Sequence, residues 1–563
     1  MISPPSPQPP GPAPLVPAKR GAWLELRTLV VALGSRRLRL RSSCEFRVGR
    51  LYLVSGPSGS GKSSFARALL GFGELADPRI PCAGEITLHD SRGRTHVLWN
   101  GEDYNPGSRE EIAFLPQSER LGFIDGLSPH ENLRLFSHLP AAEAEKQATD
   151  LAQRFHLSAV PLALARASGG ERIRLSAVRG LLPRRTGEVP PALVVADEPT
   201  AGLDPRAARA LATELIDLAS TGESIVIVIT HDPQLFVPRL PDELEGETEP
   251  TSHHEAHGEI APSGVRLLEC TLGDHAAREA HEIGRLLLEP GPVERPLIGA
   301  LKRQSISALE AIGSVTLSPI AFVWGVLGLR RPVALCQQVL GDALGPGTQL
   351  FTLTGSLLVA ATVAYFIFEQ TPRPELVEPL LLPEILKATG HTLVRVVLPL
   401  AACGLVATKL GAAQAARLAS AVRSGLLETL ALARWRLEGF ALVPAVLAQI
   451  LCMAIATGFA LAGGVLAAAL VYSAGHPDAS LRLSLDLMLA GPAKAPSWRE
   501  FLVAKVVCSG FLAGTVAALF GHAPGTSEDD VAKAVHRTLL WGVLCVITCQ
   551  CVLIVAEFAA SPK

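Results

Sequence analysis

Apolar and charged positions are spread unevenly along this chain, and the unevenness divides it. Between residues 22 and 237 short apolar runs alternate with charged stretches of helical pattern. Residues 22–33 and 45–55 read as strands, the second running into a glycine-rich loop, and a helix is expected over 63–70. Further strand-like runs fall at 112–115, 192–196 and 225–230. Apolar strands separated by helical segments predict an α/β domain on a mostly parallel sheet. Residues 238–298 open with a polar, acidic, proline-containing stretch and read as a linker.

Beyond that linker the pattern changes. Charge-free runs occur at 311–329, 351–368, 396–408, 439–475, 506–521 and 538–556. Runs of roughly 18 apolar residues or more are long enough to cross a bilayer, so residues 299–563 are expected to form an all-α polytopic membrane domain. The run at 311–329 contains Pro319 and ends at Arg330 and Arg331. It fits either a span or an interfacial helix. Lys409, Arg417, Arg423, Arg434 and Arg436 crowd the segment between the second and third certain spans, whereas the loop after the first span is acidic. The positive-inside rule then puts 409–438 in the cytoplasm and 370–390 outside. The N-terminal domain is left in the cytoplasm.

Composition adds boundaries. A chain of 563 residues calls for two or three domains. A formal net charge of −2 gives no reason to expect a nucleic-acid partner. The ten cysteines form no spaced framework, and Cys545, Cys549 and Cys551 lie in an apolar run, so free buried or lipid-facing thiols are expected. Residues 1–21 are proline-rich without an apolar core, which fits a disordered tail rather than a secretory signal. His253, His254 and His257 sit in the polar linker and read as a solvated loop rather than a metal site.

Chemistry enters with Gly56-Pro57-Ser58-Gly59-Ser60-Gly61-Lys62-Ser63, followed by Ser64. This matches the P-loop pattern: glycines let backbone N–H groups turn toward phosphate, Lys62 reaches the β/γ-phosphates, and Ser63 offers a hydroxyl to Mg²⁺. The apolar strand 193–196 runs into Asp197 and Glu198. Asp197 is placed to hold Mg²⁺, and Glu198 to orient and polarise an attacking water. The expected ligands are therefore ATP and Mg²⁺.

Ala167-Ser168-Gly169-Gly170-Glu171 resembles the signature motif of ABC transporters. Gln117 resembles the Q-loop glutamine, a further ligand to Mg²⁺ and a participant in catalysis. Ala201-Gly202-Leu203-Asp204 resembles the D-loop, and His231 the switch histidine. The resemblance implies that ATP on one P-loop is closed over by Ser168, Gly169 and Gly170 of a second copy. A chain with one set of motifs is then a half-transporter acting as a dimer. Two positions of the signature depart from the family: Ala167 stands for leucine and Glu171 for glutamine. Leu33 falls where an adenine-stacking aromatic is usual, with Trp23 the nearest alternative.

Residues 299–558 resemble the MlaE-type permeases of lipid-transporting ABC systems. The likeness runs through Arg395 and Pro399, Lys409 and Gly411, the alanine-rich stretch leading to Glu428-Thr429-Leu430, Pro444-Ala445, Lys505 with Ser509-Gly510, and Val531 with Ala534. Val396 stands where the family has glutamate, and Lys409 where it has arginine. The resemblance implies five spanning helices after an amphipathic first helix and a dimer around a lipid cavity. It also implies a periplasmic MCE-domain partner and a STAS-domain subunit. Arg395 and Lys505 lie near the ends of their spans, so their charges are expected to reach the headgroups, and a contact with lipid phosphate is the functional reading.

The domain order expected is a tail (1–21), an ATPase (22–237), a linker (238–298) and a permease (299–563). The expected activity is ATP-driven movement of phospholipid or a similar hydrophobic molecule at the bacterial inner membrane. Export of small hydrophobic compounds, or an ATP-binding scaffold without transport, are the alternatives.

Overall fold

The structure is a computed structural model. It describes residues 21–560 apart from 34–35, 41, 58, 71–82, 91–92, 100–111, 118–122, 124–127, 135–136, 138, 156, 158–159, 161–163, 183–190, 238–263, 271–278, 291–312, 329–338, 370–373, 428–429, 431–436, 477–479, 494–497 and 523–527. Ser58, the three linker histidines, Glu428, Thr429 and residues 1–20 of the expected tail lie outside the described residues.

The N-terminal domain is built on one sheet. Its strands are β1 (Trp23–Leu33), β2 (Arg36–Leu40), β3 (Cys44–Arg47), β4 (Leu51–Ser55), β5 (Ala83–His89), β6 (Thr95–Trp99), β7 (Ile112–Leu115), β8 (Leu193–Asp197), β9 (Ile225–Ile229), β10 (Gly264–Cys270) and β11 (Ala280–Pro290). The order across the sheet is β6-β5-β1-β2-β11-β10-β4-β9-β8-β7, with β3 also paired to β1. The strands β7, β8, β9 and β4 are parallel. On β8, Leu193 and Val195 join one core while Val194 and Ala196 join the other. Up to Asp197 such a strand is apolar at every position because both faces are covered. The helices are α1 (Lys62–Leu69), α2 (Pro129–Leu133), α3 (Ala141–Arg154), α4 (Gly169–Leu181) and α5 (Pro205–Ser220).

The linker expected over 238–298 is only partly one. β10 pairs with β4, and β11 with β2, so residues 264–270 and 280–290 are interior strands of the sheet. Val265, Leu267 and Leu286 are fully buried in its core. The sheet therefore extends well past residue 237.

Among the described residues, the second half contains five helices long and apolar enough to cross a membrane. A shorter helix, α6 (Gly313–Leu327), precedes them. It rises about 22 Å, short of a hydrocarbon core about 30 Å thick. Phe322 meets Phe511 edge-on, while Leu317, Ile320, Trp324 and Leu327 are exposed.

The spans are carried by α7 (Pro346–Glu369), α8 (Pro374–Thr392) continuing through a π-helical turn (Leu393–Val397) into α9 (Leu398–Arg423), α10 (Leu437–Gly475), α12 (Trp498–Gly521) and α13 (Glu528–Ala560). Between them, α11 (Leu481–Ala493) packs on α8. The middle three spans are more than half buried; the first and last are mostly exposed. Gly510 and Gly514 let α12 lie against α10. A Cβ on Gly514 would stand 2.5 Å from Val446 Cα, and one on Gly510 would stand 2.7 Å from Ile450 Cα. This G-x-x-x-G contact is how membrane helices approach closely. Gly514→Val is expected to cost about 1–3 kcal/mol by overpacking, read as a lower thermal unfolding midpoint in detergent.

Candidate functional site

The P-loop joins β4 to α1. Gly59 and Gly61 adopt φ of +76° and +99°, which L side chains rarely tolerate. Their turn starts α1 at Lys62. The Lys62 ammonium is nearly buried and donates to the carbonyls of Gly56 (2.8 Å) and Pro57 (3.0 Å). Burial lowers its pKa below that of ordinary lysine, while the carboxylates of Glu198 and Asp197 act the other way. The Ser60 hydroxyl is buried in the same loop with no hydrogen-bond partner among the described residues. An ammonium held by its own loop and an orphaned hydroxyl fit a cradle for a polyphosphate.

The parallel register supplies the rest. Asp197 at the end of β8 pairs with Ile229 at the end of β9, so the segments leaving these two strands must meet. Asp197 is buried, and its Oδ1 lies 3.4 Å from Ser63 Oγ. A carboxylate and a hydroxyl so placed fit a shared Mg²⁺. The next residue, Glu198, takes a φ of +49° and donates its N–H to Ile229 O at 2.9 Å. A non-glycine residue in the left-handed region stores strain and is common at functional sites. Glu198 Oε1 lies 2.7 Å from His231 Nε2. Gln117 is half-buried just beyond the end of β7, the strand beside β8.

The structure thus gathers Lys62, Ser63, Asp197, Glu198 and His231 into one cluster. Ser168 to Gly170 open a different helix, α4, where Ser168 and Gly169 are exposed. Asp204 caps α5 by accepting from the N–H groups of Arg206 and Ala207, both at 3.0 Å. It also lies 3.5 Å from Arg174 of α4, tying the D-loop segment to the signature helix. Trp23 stacks on His89, with ring centroids 3.8 Å apart, so its indole already has a partner.

In the membrane half the expectation for Arg395 and Lys505 is overturned. Both are buried, at 3% and 1% exposure, and both reach Glu557, itself at 1%. Arg395 Nε donates to Glu557 Oε1 at 2.5 Å, and the Lys505 ammonium pairs with Glu557 Oε2. Arg395 also lies 2.7 Å from His391 Nε2 and under the Phe558 ring. Charges buried in an apolar interior persist when paired and hydrogen-bonded, and here pairing replaces the headgroups. Pro399 explains the geometry. It has no N–H to offer the Arg395 carbonyl four residues back, the helix widens into its π-turn there, and Lys505 Nζ donates to that carbonyl at 2.7 Å. No motif marks Glu557 in the sequence; the one signal is that Arg395, Lys505 and Glu557 each bound a charge-free run. Lys409 is separate: it is exposed, donates to Gly347 O at 2.8 Å and stands over Phe351.

The fold and the P-loop cluster define an ATPase of the ABC class. The family described as "ABC transporter" matches residues 41–201, and the family described as "Permease MlaE" matches residues 342–556. The hemin import ATP-binding protein HmuV of Pseudomonas entomophila is 33% identical over 222 residues, covering 38% of this chain and 78% of that protein. The lipoprotein-releasing system ATP-binding protein LolD of Psychrobacter arcticus is 30% identical over 192 residues, covering 33% and 77%. The macrolide export ATP-binding/permease protein MacB of Marinobacter nauticus is 31% identical over 201 residues, covering 33% and 27%. Among solved structures, dimeric MJ0796, a bacterial ABC transporter cassette, aligns with a TM-score of 0.30 and 21% identity, over 38% of this chain and 89% of that one. The chain belongs to the ABC transporter family: an ABC ATPase fused to an MlaE permease domain, a membrane protein that couples ATP hydrolysis to transport.

Proposed function

We propose that this transporter moves phospholipid or a similar hydrophobic molecule, as a dimer of two copies of the chain with two composite ATP sites. The observation that carries the cargo class is the MlaE match of the permease half. The ATPase half does not discriminate, since its relatives are named for hemin, lipoprotein and macrolide.

In this reading Lys62 and the amides of 56–61 hold the phosphates. Ser63, Asp197 and Gln117 would hold Mg²⁺, which would supply positive charge against the phosphate oxygens. Glu198 draws the proton from an attacking water, and His231, in contact with that carboxylate, fixes its orientation. Ser168, Gly169 and Gly170 of the second copy close over the γ-phosphate, with Asp204 at the seam. The membrane is the bacterial inner membrane, with the ATPase in the cytoplasm, as the basic stretch at 409–438 supports. A periplasmic MCE-domain protein and a STAS-domain subunit are the partners such a permease would use.

Native mass spectrometry with lipid extraction tests this, on wild type and on Glu198→Gln with ATP. The expected result is a dimer carrying phospholipid, with occupancy changed in the ATP-trapped variant. A lipid-free dimer indifferent to the trap would favour export of small hydrophobic compounds. A Glu198→Gln variant that still supported function in cells would point to the non-transporting scaffold.

A further inference from the structure

We infer that Glu171 is a positioning residue for the signature segment: it fixes Ser168 at the helix start, and its carboxylate, competing for the Ser168 hydroxyl, weakens the closure of two copies around ATP. The inference rests on the two-copy reading above and concerns how that site is tuned.

Ser168 and Glu171 form a reciprocal pair at the start of α4. The Ser168 N–H donates to Glu171 Oε2 at 2.7 Å, and the Glu171 N–H donates to Ser168 Oγ at 3.3 Å. This is a capping box, which satisfies two of a helix's otherwise unpaired N–H groups. It also decides what Ser168 has left to offer. A hydroxyl carries one donor and two lone pairs. Here a lone pair is engaged by the Glu171 amide, and the O–H is drawn to the Glu171 carboxylate. The N–H groups of Gly169 and Gly170 stand beside it in the first turn. A Cβ placed on Gly169 would meet nothing within 4 Å, so the approach is open. Two backbone donors are thus presented outward, a pattern suited to an anion carried by another molecule, while the hydroxyl beside them must leave the Glu171 carboxylate to join them.

The same carboxylate that sets this geometry opposes its use. The two bonds from Ser168 hold Glu171 below the usual glutamate pKa, so it is ionised at neutral pH. Arg174, a compensating cation for Glu171, is shared with Asp204. An arriving γ-phosphate meets a fixed negative charge one hydrogen bond from the serine that should bind it. Glutamine builds the same box without the charge. Glutamate at this position is therefore a brake on closure that retains the cap.

The test uses the full chain in detergent and follows ATP turnover against ATP concentration. Glu171→Gln is expected to lower the ATP KM about two- to five-fold at low salt, from the usual worth of one charge at a helix end. The change should fall mainly on KM and shrink as salt rises and screens the charge. Glu171→Ala, which loses the box, should instead lower kcat while the thermal midpoint reports that the domain is folded. An unchanged KM in Glu171→Gln, or alanine and glutamine variants that behave alike, would overturn the inference. The two-copy reading is checked separately by co-expressing Lys62→Ala and Ser168→Arg chains under different tags. A mixed dimer more active than either parent supports composite sites, because one site retains an intact P-loop and an intact signature. No recovery sinks both readings; recovery with an unresponsive Glu171→Gln sinks this one alone.

Discussion

Glu198→Gln is expected to bind ATP and to turn it over roughly 10²- to 10⁴-fold more slowly than wild type, the usual worth of a positioned general base. Glutamine has nearly the shape of glutamate, so it can keep the amide bond to Ile229 O and the contact with His231 that fix residue 198. It cannot take a proton from water. Phosphate release under saturating ATP gives the rate, and a fluorescent ATP analogue gives the affinity. A fall of less than ten-fold with intact binding would place the base elsewhere. Loss of binding would mean that the left-handed turn at 198 had shifted the P-loop cluster.

Glu557→Ala is expected to be the most damaging single change in the membrane half. It withdraws the carboxylate that Arg395 and Lys505 share, at a site where all three side chains are nearly inaccessible. Removing one partner of a buried ion pair costs about 3–5 kcal/mol, because the remaining charge has lost its compensation. The thermal midpoint in detergent should fall sharply. Replacing all three groups by apolar ones (Arg395→Met, Lys505→Met and Glu557→Leu together) should recover much of that stability, since a whole buried triad can be exchanged at little cost. A folded triple variant that hydrolyses ATP without moving cargo would assign the charges to transport. A triple variant as unstable as Glu557→Ala would show that Lys505 matters through the Arg395 carbonyl.

How much of the molecule is legible in its sequence depends on contact distance. The nucleotide cluster can be read because each motif is a contiguous run whose residues sit together before any folding is considered: 56–63, 197–198 and 201–204. Parallel strands that are apolar at every position also announce themselves. β10 and β11 do not, because their partners are β4 and β2, more than two hundred residues earlier, and a polar stretch stands in front of them. The buried triad escapes for a related reason. Glu557 lies 162 residues from Arg395 and 52 from Lys505, and a charge that ends an apolar run looks locally like one that reaches for the headgroups. Pro399 is visible, but its consequence, a carbonyl in need of a donor, becomes specific only once α12 is laid against α9.

The place of β10 and β11 in the sheet bears on how the protein is made. β4, which carries the P-loop, and β2, which belongs to the antiparallel side, are separated by this pair and have no direct hydrogen bonds to each other in the sheet order. Until residue 290 has left the ribosome, both strands present open edges, and the two halves of the sheet have nothing to join them. The nucleotide fold is therefore completed only a short stretch of chain before the first apolar helix at Gly313 emerges. Synthesis slow enough at that point to let the strand pair dock would separate closure of the ATPase from membrane insertion, and faster synthesis would make the two compete.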